Sequence, residues 1–148
     1  MDWGILGGSI GPRVRLLRNT LNAGSLVQSE PYGLPTGSLT VMALIAANPG
    51  CSQVQLAALA GITGPSLVGI IAELEERGLL SRERDSADRR RNMVVLTAAG
   101  RQTMEALFAT VTEIEKPVRD ALGPQDMAML IALLDRAIGA LGARGSAD

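Results

Sequence analysis

Histidine is missing from this sequence of 148 residues, and cysteine occurs once, as Cys51. Without histidine the chain has no imidazole for general base catalysis, for metal binding or for a Ser-His-Asp triad. A single cysteine excludes an intrachain disulfide and any zinc site built from several cysteines. We therefore expect no enzyme activity and no catalytic residues, and we expect neither a bound metal nor a cofactor.

Aromatic residues are limited to Trp3, Tyr32 and Phe108, although hydrophobic residues make up 47% of the chain. The core must then consist of Leu, Ile, Val, Ala and Met, which suits packed helices better than a β-sandwich. No apolar run reaches about 18 residues and no signal peptide is evident, so we expect a cytoplasmic protein without a membrane partner. The length suggests a single domain.

The formal net charge of −1 gives no global indication of a nucleic-acid partner, but the charges are unevenly distributed. Residues 77–91 contain six arginines against three acidic residues, a local net charge of +3. Residues 101–148 contain five basic and seven acidic residues, a local net charge of −2. Lys116 is the only lysine. Arginine suits contacts with phosphates and bases, although a GC-rich genome produces the same bias.

A short helix is predicted from Gln53 to Ala60. Ser52 at the cap position and Gln55 three residues later fit a capping box. Gly61 then permits a sharp turn. The expected core residues of this helix are Leu56 and Leu59.

A second helix is predicted to follow Thr63, which can cap it, with Pro65 in the first turn and Gly78 at the end. Apolar residues recur on one face at four- and three-residue steps: Leu67, Ile71 and Leu74. The opposite face carries Ser66, Gly69 and Glu73. Two short helices joined at a glycine are typical of a helix-turn-helix.

Two β-prone segments, residues 79–84 and 92–96, predict a hairpin around a charged loop of about seven residues. The tip of this loop is Asp88-Arg89-Arg90-Arg91. A hairpin placed directly after a helix-turn-helix indicates a winged helix-turn-helix. The predicted fold class is therefore mainly α with a small β-hairpin.

The rest of the chain predicts four further helices. One begins at Pro12, and one covers Leu39 to Ala47, with Thr36 or Ser38 as its cap. Thr97 caps a long helix that Pro117 kinks or ends. After Gly123-Pro124, a last helix runs from about Gln125 to Leu141, and its apolar stripe is wider than one small domain needs. That stripe comprises Met127, Leu130, Ile131, Leu134, Ile138 and Leu141, and Met129 and Leu133 widen it.

This arrangement predicts binding to double-stranded DNA. A helix fits the major groove, and small or polar residues near its N-terminus allow close approach to base edges. Backbone N–H groups near Ser52 and Gln53 can meet phosphate, and an arginine at the hairpin tip gains from a narrow minor groove. Asp88 can orient Arg82 or Arg84. The predicted DNA-binding residues are Ser52, Gln53, Thr63, Gly64, Pro65, Ser66, Gly69, Arg82, Asp88, Arg89, Arg90 and Arg91.

Two segments carry a resemblance to the MarR family, the multiple antibiotic resistance regulators. They are Asp85 to Gly100, DSADRRRNMVVLTAAG, and Ile71 to Arg82, IAELEERGLLSR. The resemblance extends more loosely over nearly the whole chain. It implies a single MarR-like domain over residues 1–148, with dimerisation helices in residues 12–35 and 101–148 and a winged helix-turn-helix in residues 36–100.

The resemblance also implies a cytoplasmic homodimer whose two winged units each read half of a pseudo-palindromic operator. By resemblance, Ser66 and its neighbours read the major groove, Arg90 enters the minor groove, and Asp88 organises it. Arg89 and Arg91 would contact phosphates. The recognition helix departs from the usual pattern because Gly64-Pro65 and Gly69 are poor helix formers.

Most relatives are repressors that small aromatic or phenolic ligands release from DNA. The resemblance therefore implies an effector, which we expect to be an acidic aromatic compound or its thioester. The cavity would be lined by the first helix and by residues that include Leu39 and Val111. The candidate ligand-binding residues are Arg13, Arg18, Tyr32, Met42, Met104 and Phe108.

Three alternatives remain at this point. Cys51 precedes a helix N-terminus, which can acidify a thiol, so the regulator could sense oxidants. The winged helix could instead bind other proteins and ignore DNA. Enzyme activity would have to use isolated carboxylates such as Glu73, Glu75 and Glu76, which are more simply a solvated helix face.

Overall fold

The computed structural model describes residues 2–29, 32–84 and 92–145. A short 3-10 helix at Gly4–Leu6 precedes five α-helices and two strands. The chain divides into two compact units, Met1–Val111 and Thr112–Asp148. The elements are α1 (Gly11–Ser29), α2 (Ser38–Ala47), α3 (Gln53–Ala60), α4 (Gly64–Glu76), β1 (Leu80–Arg84), β2 (Asn92–Leu96) and α5 (Ala98–Gly145). The predicted class, mainly helical with a small hairpin, is confirmed.

Helix α3 begins with the predicted capping box. The Ser52 hydroxyl accepts a hydrogen bond from the Gln55 N–H at 3.3 Å, and Gln55 Oε1 accepts one from the Ser52 N–H at 3.0 Å. These bonds satisfy two donors that the first turn of a helix leaves without intrahelical partners. Gly61 ends the helix with φ 66°, a conformation that residues with a Cβ rarely adopt. The turn between the two helices therefore depends on Gly61, as predicted.

Helix α4 also begins as predicted. The Thr63 hydroxyl accepts a hydrogen bond from the Ser66 N–H at 3.3 Å, and Pro65 lies in the first turn. At the other end, the Gly78 N–H donates to the Glu75 carbonyl at 2.9 Å, and the Leu79 N–H donates to the Leu74 carbonyl at 2.9 Å. Crossed bonds of this kind satisfy the last carbonyls of a helix and turn the chain into the next strand.

Strands β1 and β2 form an antiparallel hairpin in which Leu80 faces Leu96 and Arg82 faces Val94. Thr97 anchors its base, because its hydroxyl donates to the Gly78 carbonyl at 2.8 Å and its N–H donates to the Leu79 carbonyl at 3.1 Å. The same hydroxyl accepts a hydrogen bond from the Gly100 N–H at 3.0 Å, so Thr97 caps α5 as predicted.

The core of the first unit lies among α2, α3, α4, the base of the hairpin and the first half of α5. It contains aliphatic side chains and Met42, as the shortage of aromatic residues predicts. The buried hydrophobic residues are Val41, Met42, Ile45, Leu56, Ala57, Leu67, Ile70, Ile71, Leu74, Leu79, Leu80, Leu96 and Leu107. The prediction that Leu59 belongs to the core was wrong, because its side chain is 59% exposed and Ala57 is buried instead.

The predicted cap of α2, Thr36 or Ser38, was wrong, and of the two outcomes predicted for Pro117, a kink or an end of the helix, the end is contradicted. The cap position of α2 is Gly37, with φ 90°, and the Ser38 hydroxyl donates to the Pro35 carbonyl at 2.7 Å. Pro117 lies inside a helix that continues past it, and the backbone leaves the helical conformation at Gly123 (φ 72°, ψ 171°). The last helical segment therefore begins where the Gly-Pro pair predicted it.

No single helix among the described residues is both long enough and apolar enough to cross a membrane. Helices α3 and α4 reach that length and apolar character only when taken together, and the chain bends by 104° between them.

Candidate DNA-binding surface and ligand cavity

The N-terminal half of α4 presents a surface of small and polar residues. Leu67 and Ile70 point into the core, whereas the groove-reading candidates are exposed. The Thr63 and Ser66 hydroxyl groups share a hydrogen bond at 2.8 Å, and because a hydroxyl has one donor and two acceptor sites, each keeps some capacity for a further partner. The exposed candidates are Thr63, Gly64, Pro65, Ser66 and Gly69. This surface has the shape that base readout requires, and the role of each residue stays a prediction.

Val68 belongs to the same surface and was missed by the sequence reasoning. Its side chain is 53% exposed although it lies between two buried positions in sequence, Leu67 and Ile70. An exposed methyl-bearing side chain beside Gly69 suits contact with the methyl group of thymine. The helical period could have predicted this exposure, because Val68 lies one turn after Gly64 and therefore on the outer face.

The start of α3 offers fewer free donors than its position suggests. Ser52 is exposed, but both its hydroxyl and its N–H take part in the capping box with Gln55. Phosphate contact at this end would therefore use the N–H groups of the first helical turn, beginning with Gln53. The predicted roles of Ser52 and Gln53 stay predictions.

Arg82 contacts α4 through a two-point ion pair with Glu75. Its Nε atom lies 2.7 Å from Glu75 Oε1, and its Nη2 atom lies 3.1 Å from Glu75 Oε2. Sequence reasoning treated Glu73 and Glu75 as a solvated face, but Glu73 is also paired, with Arg77 at 2.6 Å. The hairpin-tip residues Asp88, Arg89, Arg90 and Arg91 lie outside the described residues.

A cavity of about 290 Å³ opens beside the N-terminal end of α2. Its lining combines apolar side chains with an amide and several hydroxyl groups. The lining residues are Asn22, Leu34, Pro35, Thr36, Gly37, Ser38, Leu39, Thr40, Leu107, Thr110 and Val111. Leu39 and Val111 were expected at such a cavity. This volume lies just below the usual range for ligand pockets, roughly 300–1,000 Å³.

None of the six candidate ligand-binding residues belongs to the lining of this cavity. Met42 is fully buried in the core, and Tyr32 and Met104 pack against that core. Phe108 is exposed, one residue after Leu107 of the lining. Arg13 donates to the Ser9 carbonyl at 2.7 Å and stacks on Trp3, 4.8 Å from the ring centroid.

Arg18 is exposed on α1, one helical turn before Asn22 of the lining. Residues four apart share a helix face, so Arg18 is the candidate cation nearest in sequence to the cavity mouth. The ligand roles of all six residues stay predictions.

A second cavity of about 240 Å³ lies between the start of α3 and the hairpin, lined in part by Cys51, Ser52 and Arg82. Cys51 is half-buried, and its Sγ atom lies 3.6 Å from Gln55 Oε1. The thiol is therefore partly accessible, and its proposed redox role stays a hypothesis.

The last segment of α5 exposes a broad apolar face. Several of its large hydrophobic side chains are more than one-third exposed within the described chain, which exceeds what scattered surface residues require. The exposed members of the predicted stripe are Met129, Ile131, Leu133, Leu134, Ile138 and Leu141.

Comparison with known proteins agrees with this geometry. A sequence model of the MarR family matches residues 32–91. Transcriptional regulator HosA from Escherichia coli O157:H7 is 33% identical over 107 residues, which cover 72% of this chain and 79% of HosA.

Two solved structures extend the similarity to most of the chain. CouR from Rhodococcus jostii RHA1, bound to p-coumaroyl-CoA, has a TM-score of 0.79 at 25% identity and covers 90% of this chain and 94% of its own. NadR in complex with 4-hydroxyphenylacetate has a TM-score of 0.76 at 30% identity, covering 88% and 92%. The chain therefore belongs to the MarR family, whose members are transcriptional regulators and not enzymes.

Proposed function

We propose that this protein is a ligand-responsive repressor that binds a pseudo-palindromic operator as a homodimer. The observation that carries the proposal is the exposed small-residue surface of α4 next to a hairpin that Arg82 joins to the same helix. That arrangement offers one element to the major groove and a second to the adjoining groove, and the sequence between the two strands contains Arg89, Arg90 and Arg91. The repressor CouR, solved on a 23-mer DNA duplex, is similar with a TM-score of 0.76 at 29% identity.

The homodimer is supported by the exposed apolar face of the last segment of α5. Ile138 and Leu141 are each 66% exposed, and they repeat at a three-residue step along one face. A second copy related by two-fold symmetry would bury the same face on both chains. Two winged units would then meet two operator half-sites.

The proposed effector is a small aromatic or phenolic acid, or the thioester of such an acid. The cavity beside α2 combines an apolar wall with Asn22 and with hydroxyl groups such as those of Thr36 and Thr110. A phenol ring suits that wall, and its hydroxyl group suits the polar atoms. The similar structures of CouR and NadR hold ligands of this chemical class. Release would require tighter ligand binding by a dimer whose winged units no longer match the half-site spacing.

A fluorescence anisotropy titration with the promoter region of the protein's own gene would test DNA binding. We expect affinity to fall steeply with salt, at a slope near −0.9 per phosphate neutralised, and a scrambled duplex to bind much more weakly. Replacing Arg89 and Arg90 by alanine should weaken binding and reduce that slope. A salt-insensitive association would reject the proposal and favour a protein partner.

The effector part needs a separate titration of the preformed DNA complex. The probes are 4-hydroxyphenylacetate, 4-hydroxybenzoate, p-coumarate and p-coumaroyl-CoA, with cyclohexylacetate as a non-aromatic acidic control. We expect at least one aromatic probe to lower DNA affinity and raise the unfolding temperature of the free protein. Failure of the whole set in both measurements would contradict the proposed effector class and leave the DNA-binding result standing.

A further inference from the structure

We propose that Glu75, an acidic residue at the far end of α4, strengthens DNA binding by holding Arg82 and so fixing the hairpin on the recognition helix. Glu75 would be a positioning residue that contacts no DNA itself. This inference rests on the proposed DNA-binding function, and it adds a residue that the pattern of the sequence classified as solvated.

Burial of the hairpin decreases from its base outward along the paired residues. Leu80 and its partner Leu96 are buried at the base, and Val94, the partner of Arg82, is half-buried against the core. Leu80 and Arg82 share a strand face because side chains alternate along a strand. Arg82 is therefore the position at which the inward face of β1 changes from apolar packing to an ion pair.

The ion pair fixes both distance and direction. Two N–H···O bonds, at 2.7 and 3.1 Å, join the Arg82 guanidinium to both oxygens of the Glu75 carboxylate, a bidentate contact. The Glu75 side chain is only 24% exposed, against 51% for that of Arg82, so the carboxylate is the partner that is better shielded from solvent. The strand is thereby attached to α4 two residues before β1 ends at Arg84.

Beyond this pair, β1 continues toward the arginine-rich loop. A strand rises about 3.3 Å per residue, so a small rotation at Arg82 moves the end of β1 at Arg84 by a larger distance. Losing the pair should therefore cost DNA affinity through misplacement of the hairpin. Electrostatics alone predicts the opposite sign, because removing a negative charge from a DNA-binding protein reduces its repulsion from phosphate.

Glu76 provides a matched control that separates loss of DNA affinity through misplacement from gain of DNA affinity through removal of a negative charge. It is the next residue on α4, it is exposed, and its substitution by glutamine removes the same charge. We would select a duplex from a random pool with the full-length protein and measure affinity at one salt concentration. Glu75→Gln should bind about fivefold or more weakly than wild type, as expected for groups in one ion-pair network. Glu76→Gln should bind equally well or slightly more tightly.

Rescue by charge exchange distinguishes positioning from a general loss of folding. Arg82→Gln should weaken binding, and the double variant Glu75→Gln/Arg82→Gln should be no weaker than the worse single variant. The exchanged pair Glu75→Arg/Arg82→Glu should recover at least part of the affinity, and all variants should keep their helical circular dichroism. If Glu75→Gln binds as tightly as Glu76→Gln, the inference is wrong.

Amide hydrogen exchange of the free protein separates this inference from the proposed function. Without DNA, Glu75→Gln should accelerate exchange in Leu80–Arg84, whereas Glu76→Gln should not. If the wild type selects no duplex, the proposed function fails, and this measurement still decides whether Glu75 holds the hairpin. Unchanged exchange in Glu75→Gln would overturn the positioning role.

Discussion

Arg77, the residue that follows α4, donates a hydrogen bond from Nη1 to the backbone carbonyl of Tyr32, 3.2 Å away. The same guanidinium pairs with Glu73, from Nη2 to Oε1 at 2.6 Å, so Arg77 joins α4 to a segment 45 residues earlier. That segment continues directly into Leu34 and Pro35, which line the cavity beside α2. The cavity wall and the proposed recognition helix are therefore connected by one side chain.

Replacing Arg77 by glutamine should lower the free energy of unfolding by about 1 kcal/mol. The substitution removes a hydrogen bond to a backbone carbonyl together with a partly exposed ion pair, and such contacts contribute about 0.5–1.5 kcal/mol net. Urea denaturation followed by circular dichroism at a fixed protein concentration measures the change. Arg101→Gln, at an exposed position on α5, should stay near zero. Equal values for the two variants would contradict the bridging role.

Leu56 and Leu59 of α3 should respond very differently to alanine. Leu56 is 4% exposed, so Leu56→Ala should cost about 2–5 kcal/mol through lost burial and the cavity left behind. Leu59 is 59% exposed, so Leu59→Ala should change the free energy of unfolding by less than about 1 kcal/mol. Thermal and urea denaturation of the two variants give the comparison. A large effect at Leu59 would mean that another surface covers it.

The error at Leu59 arose because the sequence of an eight-residue helix does not show which face is buried. Residues 53–60 read QVQLAALA, with apolar residues on every side, so spacing alone cannot identify the inward face. The contacts with α2 and α4 decide it, and they bury Ala57 rather than Leu59. The capping residues Ser52, Thr63 and Thr97 were predictable because their hydrogen bonds involve residues only three positions away.

In the candidate site too, the features that depend on local sequence were predictable and those that depend on non-local packing were not. Exposure of Ser66 and Gly69 followed from the helical period of α4, since they lie opposite Leu67 and Ile71. The pair between Arg82 and Glu75 could not be predicted, because it depends on how β1 returns along α4 after the turn at Gly78. Non-local packing likewise decides which residues line the cavity.

Replacing Gly69 by alanine should separate stability from DNA binding. The added Cβ would have no atom within 4 Å, and alanine is a better helix former than glycine, so stability should rise by about 0.5–1 kcal/mol. Operator affinity should fall, because the methyl group would enter the space that the proposed recognition surface leaves for bases. Denaturation and anisotropy measure the two effects. A variant that is more stable and binds DNA equally well would show that Gly69 does not approach the groove.

The same substitution at Gly100 should be severely destabilising. An added Cβ would collide with the Leu79 carbonyl oxygen and lie 3.0 Å from Leu96 Cδ2, so the base of the hairpin would have to move. We expect a cost of about 3 kcal/mol or more, because the nearest obstacle is backbone and cannot change rotamer. Gly69→Ala is the matched control for glycine-to-alanine replacement within a helix. A Gly100→Ala protein as stable as the wild type would contradict the close packing of α5 on the hairpin.

Replacing Ile138 by aspartate should convert the proposed homodimer into monomers. Ile138 is 66% exposed on the last segment of α5, and a charge there would be buried without a partner if a second copy covered this face. Light scattering after size exclusion measures the mass, and the unfolding temperature should lose its dependence on protein concentration. Val54→Asp introduces the same charge at a valine of α3 that is 81% exposed, and it should leave the mass unchanged. A wild-type protein that is already monomeric at micromolar concentration would reject the homodimer, and two half-sites could then no longer be read by one preformed pair.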